Sequence, residues 1–204
     1  MMSKTHLAVG VACSLAAAPA TSEGLFYAVL GGSIGSMICD IDRSAEGTAR
    51  DSRVGWLITS VITIGMYMQK AFFSGAGLSF RGLISDPLRL VCFALLILLF
   101  LFAISGSHRG FSHSLLMFVC SFVLVFVISR QMSLFYGIGF LTHLVLDLMN
   151  RRPVKIFYPH YRGYCLNWCY CDGIVNRIML LAGSAAVIWL LVGKFGVQIN
   201  RFRL

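Results

Sequence analysis

The sequence predicts an all-α fold: a polytopic membrane helical bundle with about seven hydrophobic helices, five to seven of them full spans. Charged residues make up only 12% of the 204 residues, against 58% hydrophobic, and the mean hydropathy is +0.81. A soluble domain carries about 25% charge, so this chain has too few charges to cover a water-facing surface. Several runs reach the roughly 20 mostly apolar residues that a bilayer crossing needs. The runs are continuous rather than alternating, which argues against membrane strands. The whole chain, 1–204, reads as a single integral membrane helical domain.

Taken in order, helices are expected near 6–18, 24–39, 54–72, 87–105, 113–129, 134–149 and 177–195. The first two are short, and read as oblique spans or as helices lying behind others. Pro19 and Thr21-Ser22 separate them. Within the second, Gly31 and Gly35 have the small-xxx-small spacing that lets helices approach closely. The third is uncharged up to Lys70, and Gly75, Gly77, Gly82 and Pro87 mark the connection after it. The fourth, centred on Leu90–Ser105, is the clearest span and ends at Ser105-Gly106-Ser107. Arg130 and Gln131 are expected to split the fifth from the sixth. Pro153 and Pro159 interrupt the stretch 150–176. At the N-terminus, Lys4, an apolar run and Ala16–Ala18 have the outline of a signal peptide. The positive region is thin, however, and His6 has no use in such a leader, so the first helix is expected to be retained.

The net charge of +9 would suggest nucleic acid on a soluble protein. Here the basic residues sit between spans and form no stripe with a binding motif, so nucleic acid is not expected as a partner. Seven spans place ten Lys and Arg on one side (Lys4, Arg43, Arg50, Arg53, Arg109, Arg151, Arg152, Lys155, Arg162, Arg177) and seven on the other. The positive-inside rule puts the first side in the cytoplasm. The loop 150–176 holds Phe157, Tyr158, Tyr161, Tyr164, Trp168 and Tyr170, side chains that favour the headgroup level. It reads as an interfacial aromatic and basic loop, with membrane lipid as its partner. Of seven cysteines, Cys13, Cys39, Cys92 and Cys120 read as small buried residues. Cys165, Cys169 and Cys171 cluster in the loop without a standard zinc spacing, as in a reduced compartment.

The polar residues inside this apolar chain are few and grouped. His6 starts the first helix, Asp40 and Asp42 close the second, His108 and His113 flank the start of the fifth, and His143 lies four residues before Asp147. Each alone has a plain reading as a helix cap, a solvated helix end or a hydrogen bond within the bundle. Seven-helix alternation nevertheless carries all of them to one side. His143 and Asp147 project from one helix face, Asp40 and Asp42 offer hard oxygens, and ionisable groups in membrane helices are costly and functional by default. A mixed imidazole and carboxylate set suits zinc, manganese or iron. Seven ligands exceed the need of one four-coordinate ion, so one or two divalent ions are expected, and a pair could drive a displacement. Arg109 could clamp a phosphate or simply add cytoplasmic charge. Ser112 and Ser114 read as helix-start residues, and His160 as an isolated side chain.

At these residues the chain resembles the YdjM-type inner-membrane proteins, a bacterial family associated with metal-dependent hydrolysis. The matching pieces are Thr5-His6-Leu7, Asp40-Ile41-Asp42, His108-Arg-Gly-Phe-Ser-His113-Ser114 and His143-Leu-Val-Leu-Asp147, in order, from the N-terminus to about Pro159. The resemblance implies a multi-pass helical fold in the cell inner membrane and a metal set of His6, Asp40, Asp42, His108, His113, His143 and Asp147. Cys39, Arg43 and Asn150-Arg151 stand where the family often has Pro, His and Thr-Pro. The expected activity is hydrolysis of a phosphoester or lipid-linked substrate at the cytoplasmic face, with Asp42 or His113 as base and Arg109 on the phosphate. The competing readings are a metal-ion transporter or sensor, and a non-enzymatic membrane protein with a structural metal.

Overall fold

The computed structural model describes residues 1–41, 53, 56–61, 64, 86–105 and 109–201, with side chains to 197. Among them every named element is helical: α1 (Ser3–Ala17), α2 (Ser22–Ile38), α3 (Pro87–Ile104), a 3-10 turn (Phe111–His113), α4 (Leu115–Ile128), α5 (Arg130–Leu148) and α6 (Ile174–Arg201). Most of the helix expected at 54–72 lies outside the described residues, though 56–61 is helical.

Local chemistry sets the helix starts. Thr21 caps α2 by accepting from the Gly24 amide. Asp86 caps α3 by accepting from Leu88 and Arg89, with Pro87 in the first turn, where its missing N–H costs nothing. Ser114 caps α4 through Met117, and Ser129 caps α5 through Met132. The expected split at Arg130 and Gln131 is therefore displaced. One extended residue, Ser129, separates α4 from α5, because its hydroxyl can satisfy an orphan amide. Arg130 and Gln131 simply occupy the first turn of α5.

Among the described residues three helices are long and apolar enough to cross a membrane: Ser22–Ile41, Pro87–Ile104 and Ile174–Val197. The span expected at 54–72 falls mostly outside the described residues. α1 and α4 have 15 and 14 residues, short of the roughly 20 required, and α5 carries polar residues along its length.

α1, α2 and α5 pack on one another at the centre. α6 packs on α1 at one edge, and α4 joins α5 to α3 at the other. α2 and α5 run parallel and close together. A Cβ on Gly35 would lie 2.1 Å from the Tyr136 carbonyl oxygen, and one on Gly139 would lie 2.6 Å from that of Gly32. Gly31 faces α5 as well, so the small-residue spacing of α2 does mark a helix contact. Below it Tyr136, fully buried, donates to Ser121 Oγ at 2.8 Å.

α6 runs parallel to α1 and holds it at both ends. Asn176 Oδ1 accepts from the Met2 amide at 3.1 Å and from Thr5 Oγ1 at 2.8 Å. At the other end Lys194 Nζ donates to the Leu15 carbonyl at 2.6 Å and to the Ala18 carbonyl. A cation there complements the negative end of α1.

The outer faces are apolar. Ten large apolar side chains of α3 are exposed, Leu88, Phe93, Leu98 and Leu101 among them. Holding each in water would cost about 1.5–3 kcal/mol, in sum more than the roughly 5–15 kcal/mol net stability of a typical domain. An apolar surrounding, not water, must cover this face, as expected of a candidate membrane span.

Candidate metal centre

α1 and α6 begin at one end of the bundle, and α2, α3 and α5 finish there, which is the parity of the seven-helix reading. This geometry brings His6, Asp40, His113, His143 and Asp147 together, all at 0–2% exposure. Asp42 and His108 lie outside the described residues.

His113 and His143 form the middle. Their Nε2 atoms are 3.4 Å apart. Asp147 Oδ2 lies 3.4 Å from His113 Nε2 and 3.7 Å from His143 Nε2, and Asp40 Oδ1 lies 3.8 Å from each. An ion with bonds near 2.0–2.2 Å in a tetrahedral site holds its donors roughly 3.3–3.6 Å apart, so the spacing suits one cation.

The surroundings orient these donors. His143 Nδ1 is 2.6 Å from the Ser36 carbonyl. A carbonyl only accepts, so Nδ1 carries the proton and Nε2 presents its lone pair to the cluster. His113 Nδ1 is 2.8 Å from Ser112 Oγ, which again leaves Nε2 facing inward. Ser3 Oγ donates to Asp40 Oδ2 at 2.6 Å, directing Oδ1 to the histidines.

Asp147 has a second side. Its Oδ1 is 2.8 Å from the Met1 amino group, 3.3 Å from His6 Nε2 and 3.4 Å from Arg109 Nη2. His6 stacks on His143 with centroids 3.8 Å apart, and among the described residues neither of its buried ring nitrogens has a hydrogen-bond partner. Its contact with Asp147 is close but poorly aligned. Buried polar atoms are rarely left so, and a cation would satisfy a lone pair there. Among the described residues two groups thus have metal-binding spacing, His6–His143–Asp147 and Asp40–His113–His143. Both need His143, whose Nδ1 is committed to Ser36. Its single remaining lone pair serves one ion at a time.

Arg109 adopts φ 60° and is buried. Nη1 donates to the Arg152 carbonyl at 2.7 Å, and Nε is buried with no partner among the described residues. The loop after α5 is tied down around it. Lys155 N donates to the Arg109 carbonyl at 3.2 Å, and Leu115 N to the Ile156 carbonyl at 2.9 Å. The loop therefore covers this end of the bundle, besides presenting aromatics outward. Cys169 is buried within it and Cys165 exposed; all seven cysteines are free thiols. Ser114 is a helix cap as expected, whereas Ser112 serves His113. His160 is exposed in the loop.

Sequence reasoning missed Ser3, Ser36 and Asn176. Asn176 alone left a trace, a lone amide entering an apolar run.

A family profile for the YdjM inner membrane protein matches residues 1–200. The chain belongs to that family. It is accordingly an inner membrane protein, and three long apolar helices are its candidate spans among the described residues. No curated protein and no solved structure matches it significantly.

Proposed function

We propose that this YdjM-family protein is a membrane-embedded, metal-dependent hydrolase acting at the cytoplasmic membrane face on a phosphoester or lipid-linked phosphate. The observation that carries the reading is the inward convergence of His113 Nε2, His143 Nε2, Asp40 Oδ1 and Asp147 Oδ2 within 3.4–3.8 Å of one another along five separations. A divalent ion bound there, zinc or manganese by donor type with iron as a third fit, supplies Lewis acidity and eases the deprotonation of water.

The protein's own groups have distinct tasks in this reading. Asp40, His113, His143 and Asp147 hold the cation. His6 stacks on His143 and keeps a nitrogen 3.3 Å from Asp147. Arg109, with a buried Nε lacking a partner among the described residues, offers a directed donor to a phosphoryl oxygen. His113 is better placed as a ligand than as a base, because its other nitrogen faces Ser112. Asp42, the other proton acceptor the sequence offers, lies outside the described residues.

The donors come from helix ends and the 3-10 turn, not from the middle of the bundle. Transport sites lie near the bilayer midplane, so the placement favours surface chemistry over a transporter. Metal content of purified protein, with His113→Ala and Asp147→Ala beside it, tests the first step. Both variants are expected to lose the metal; full retention in both would sink the site. Generic phosphoester hydrolysis lost in the same variants separates an enzyme from a structural metal.

A further inference from the structure

The loop that joins α5 to α6 has two faces of opposite character. Val154, Ile156 and Cys169 point inward and are buried. Phe157, Tyr161, Trp168 and Tyr170 point outward at 55%, 82%, 69% and 59% exposure. Among them stand the exposed Arg151, Arg152 and Arg162 and the half-buried Lys155, and between 150 and 177 the one acidic residue is Asp172.

Cations and rings are paired rather than scattered. The Arg151 guanidinium lies 4.0 Å from the centroid of the Tyr170 ring and donates to its hydroxyl. Lys155 Nζ lies 5.6 Å from the centroid of Tyr161. Such pairs hold charge over an apolar plane. The backbone beneath is fixed as well. Leu166 N donates to the Leu148 carbonyl at 2.7 Å, Trp168 N to the Met149 carbonyl at 3.0 Å, and Val154 and Tyr164 exchange both bonds at 2.9 Å. The outward face is therefore preformed, and little ordering entropy is lost when it binds.

Its position names the partner. The loop leaves the end of α5 and enters α6, a candidate span whose apolar side chains Ile178, Leu181 and Ile188 are exposed. At that level the chain meets the headgroup layer. Rings with a polar tip favour that layer, and lysines and arginines near it are drawn to anionic lipid.

We propose that the outer face of loop 150–173 is a binding surface for anionic phospholipid headgroups in the leaflet on the side of the His and Asp cluster. The surface is independent of any metal. It adjoins the cluster through one side chain, since Arg109 bonds the Arg152 carbonyl and also approaches Asp147.

The test uses the full chain with Trp56→Phe and Trp189→Phe, so that Trp168 is the one emitter. The protein is placed in nanodiscs of phosphatidylcholine alone or mixed with phosphatidylglycerol, and acrylamide quenching is read. Protection of Trp168 in the anionic discs is expected. It should be lost in Arg151→Gln/Lys155→Gln/Arg162→Gln, and in about 1 M salt, where the screening length falls to about 3 Å. Equal quenching in both disc types overturns the proposal on the parent sequence alone, whatever the triple variant's fold. Protection that needs added nucleic acid or an acidic protein overturns it too, by assigning another partner.

Discussion

Helix α2 is buried along most of its length, whereas α3, of similar length and more apolar, leaves most of its side chains exposed. The difference follows from residue size rather than hydropathy. α2 carries Gly31, Gly32, Ser33, Gly35 and Ser36 in one stretch, while α3 is built from Leu, Phe and Ile. In lipid, apolar surface gains little by leaving one oily neighbour for another, so close backbone approach decides which helices go inside. Hydropathy therefore tells which helices can enter the membrane, and small residues tell which of them become the scaffold of a site.

The strongest way to break this comparison is to fill α2. Gly35→Leu places atoms where the Tyr136 backbone stands, and should destabilise by at least about 3 kcal/mol or abolish folding. Gly196→Leu on α6, where the added Cβ meets nothing within 4 Å, should stay within about 0.5 kcal/mol. Unfolding in detergent micelles measures both, and equal losses would refute the distinction.

Next in size is Asn176→Ala. It strands the Met2 amide and the Thr5 hydroxyl, at a cost of about 1–3 kcal/mol. Metal affinity should fall with it, because His6 rides on the same turn; unchanged affinity would detach α6 from the site. Tyr136→Phe is smaller, about 1 kcal/mol, since Ser121 Oγ still donates to the Met117 carbonyl at 2.7 Å. Smallest is Leu98→Ala on the outer face of α3, expected within about 0.5 kcal/mol in lipid. A cost above about 2 kcal/mol would mean that α3 is covered by protein.

Much of the scaffold was legible in the chain. Apolar runs located the helices, and Gly31 and Gly35 marked a helix contact. Parity carried His6, Asp40, His113, His143 and Asp147 to one end, because direction alternates whatever the packing. The partners that orient them were not legible. Ser36 contributes a backbone carbonyl, which every residue has. Ser3 and Asn176 act on residues 37 and 174 positions away, and no local pattern encodes such contacts. The α4–α5 break lies at Ser129 rather than at Arg130 and Gln131, because a capping hydroxyl starts a helix and an arginine fits its first turn.

Asn176 and Lys194 are eighteen residues apart on one unbroken helix, about 27 Å at 1.5 Å per residue. α1 lies alongside, one end against each. α6 is in this sense a measuring rod. Adding one residue between the two contacts would swing Lys194 by about 100° and advance it about 1.5 Å, so only one end of α1 could stay engaged. The number of residues along a lipid-facing helix thus sets how deep an imidazole sits.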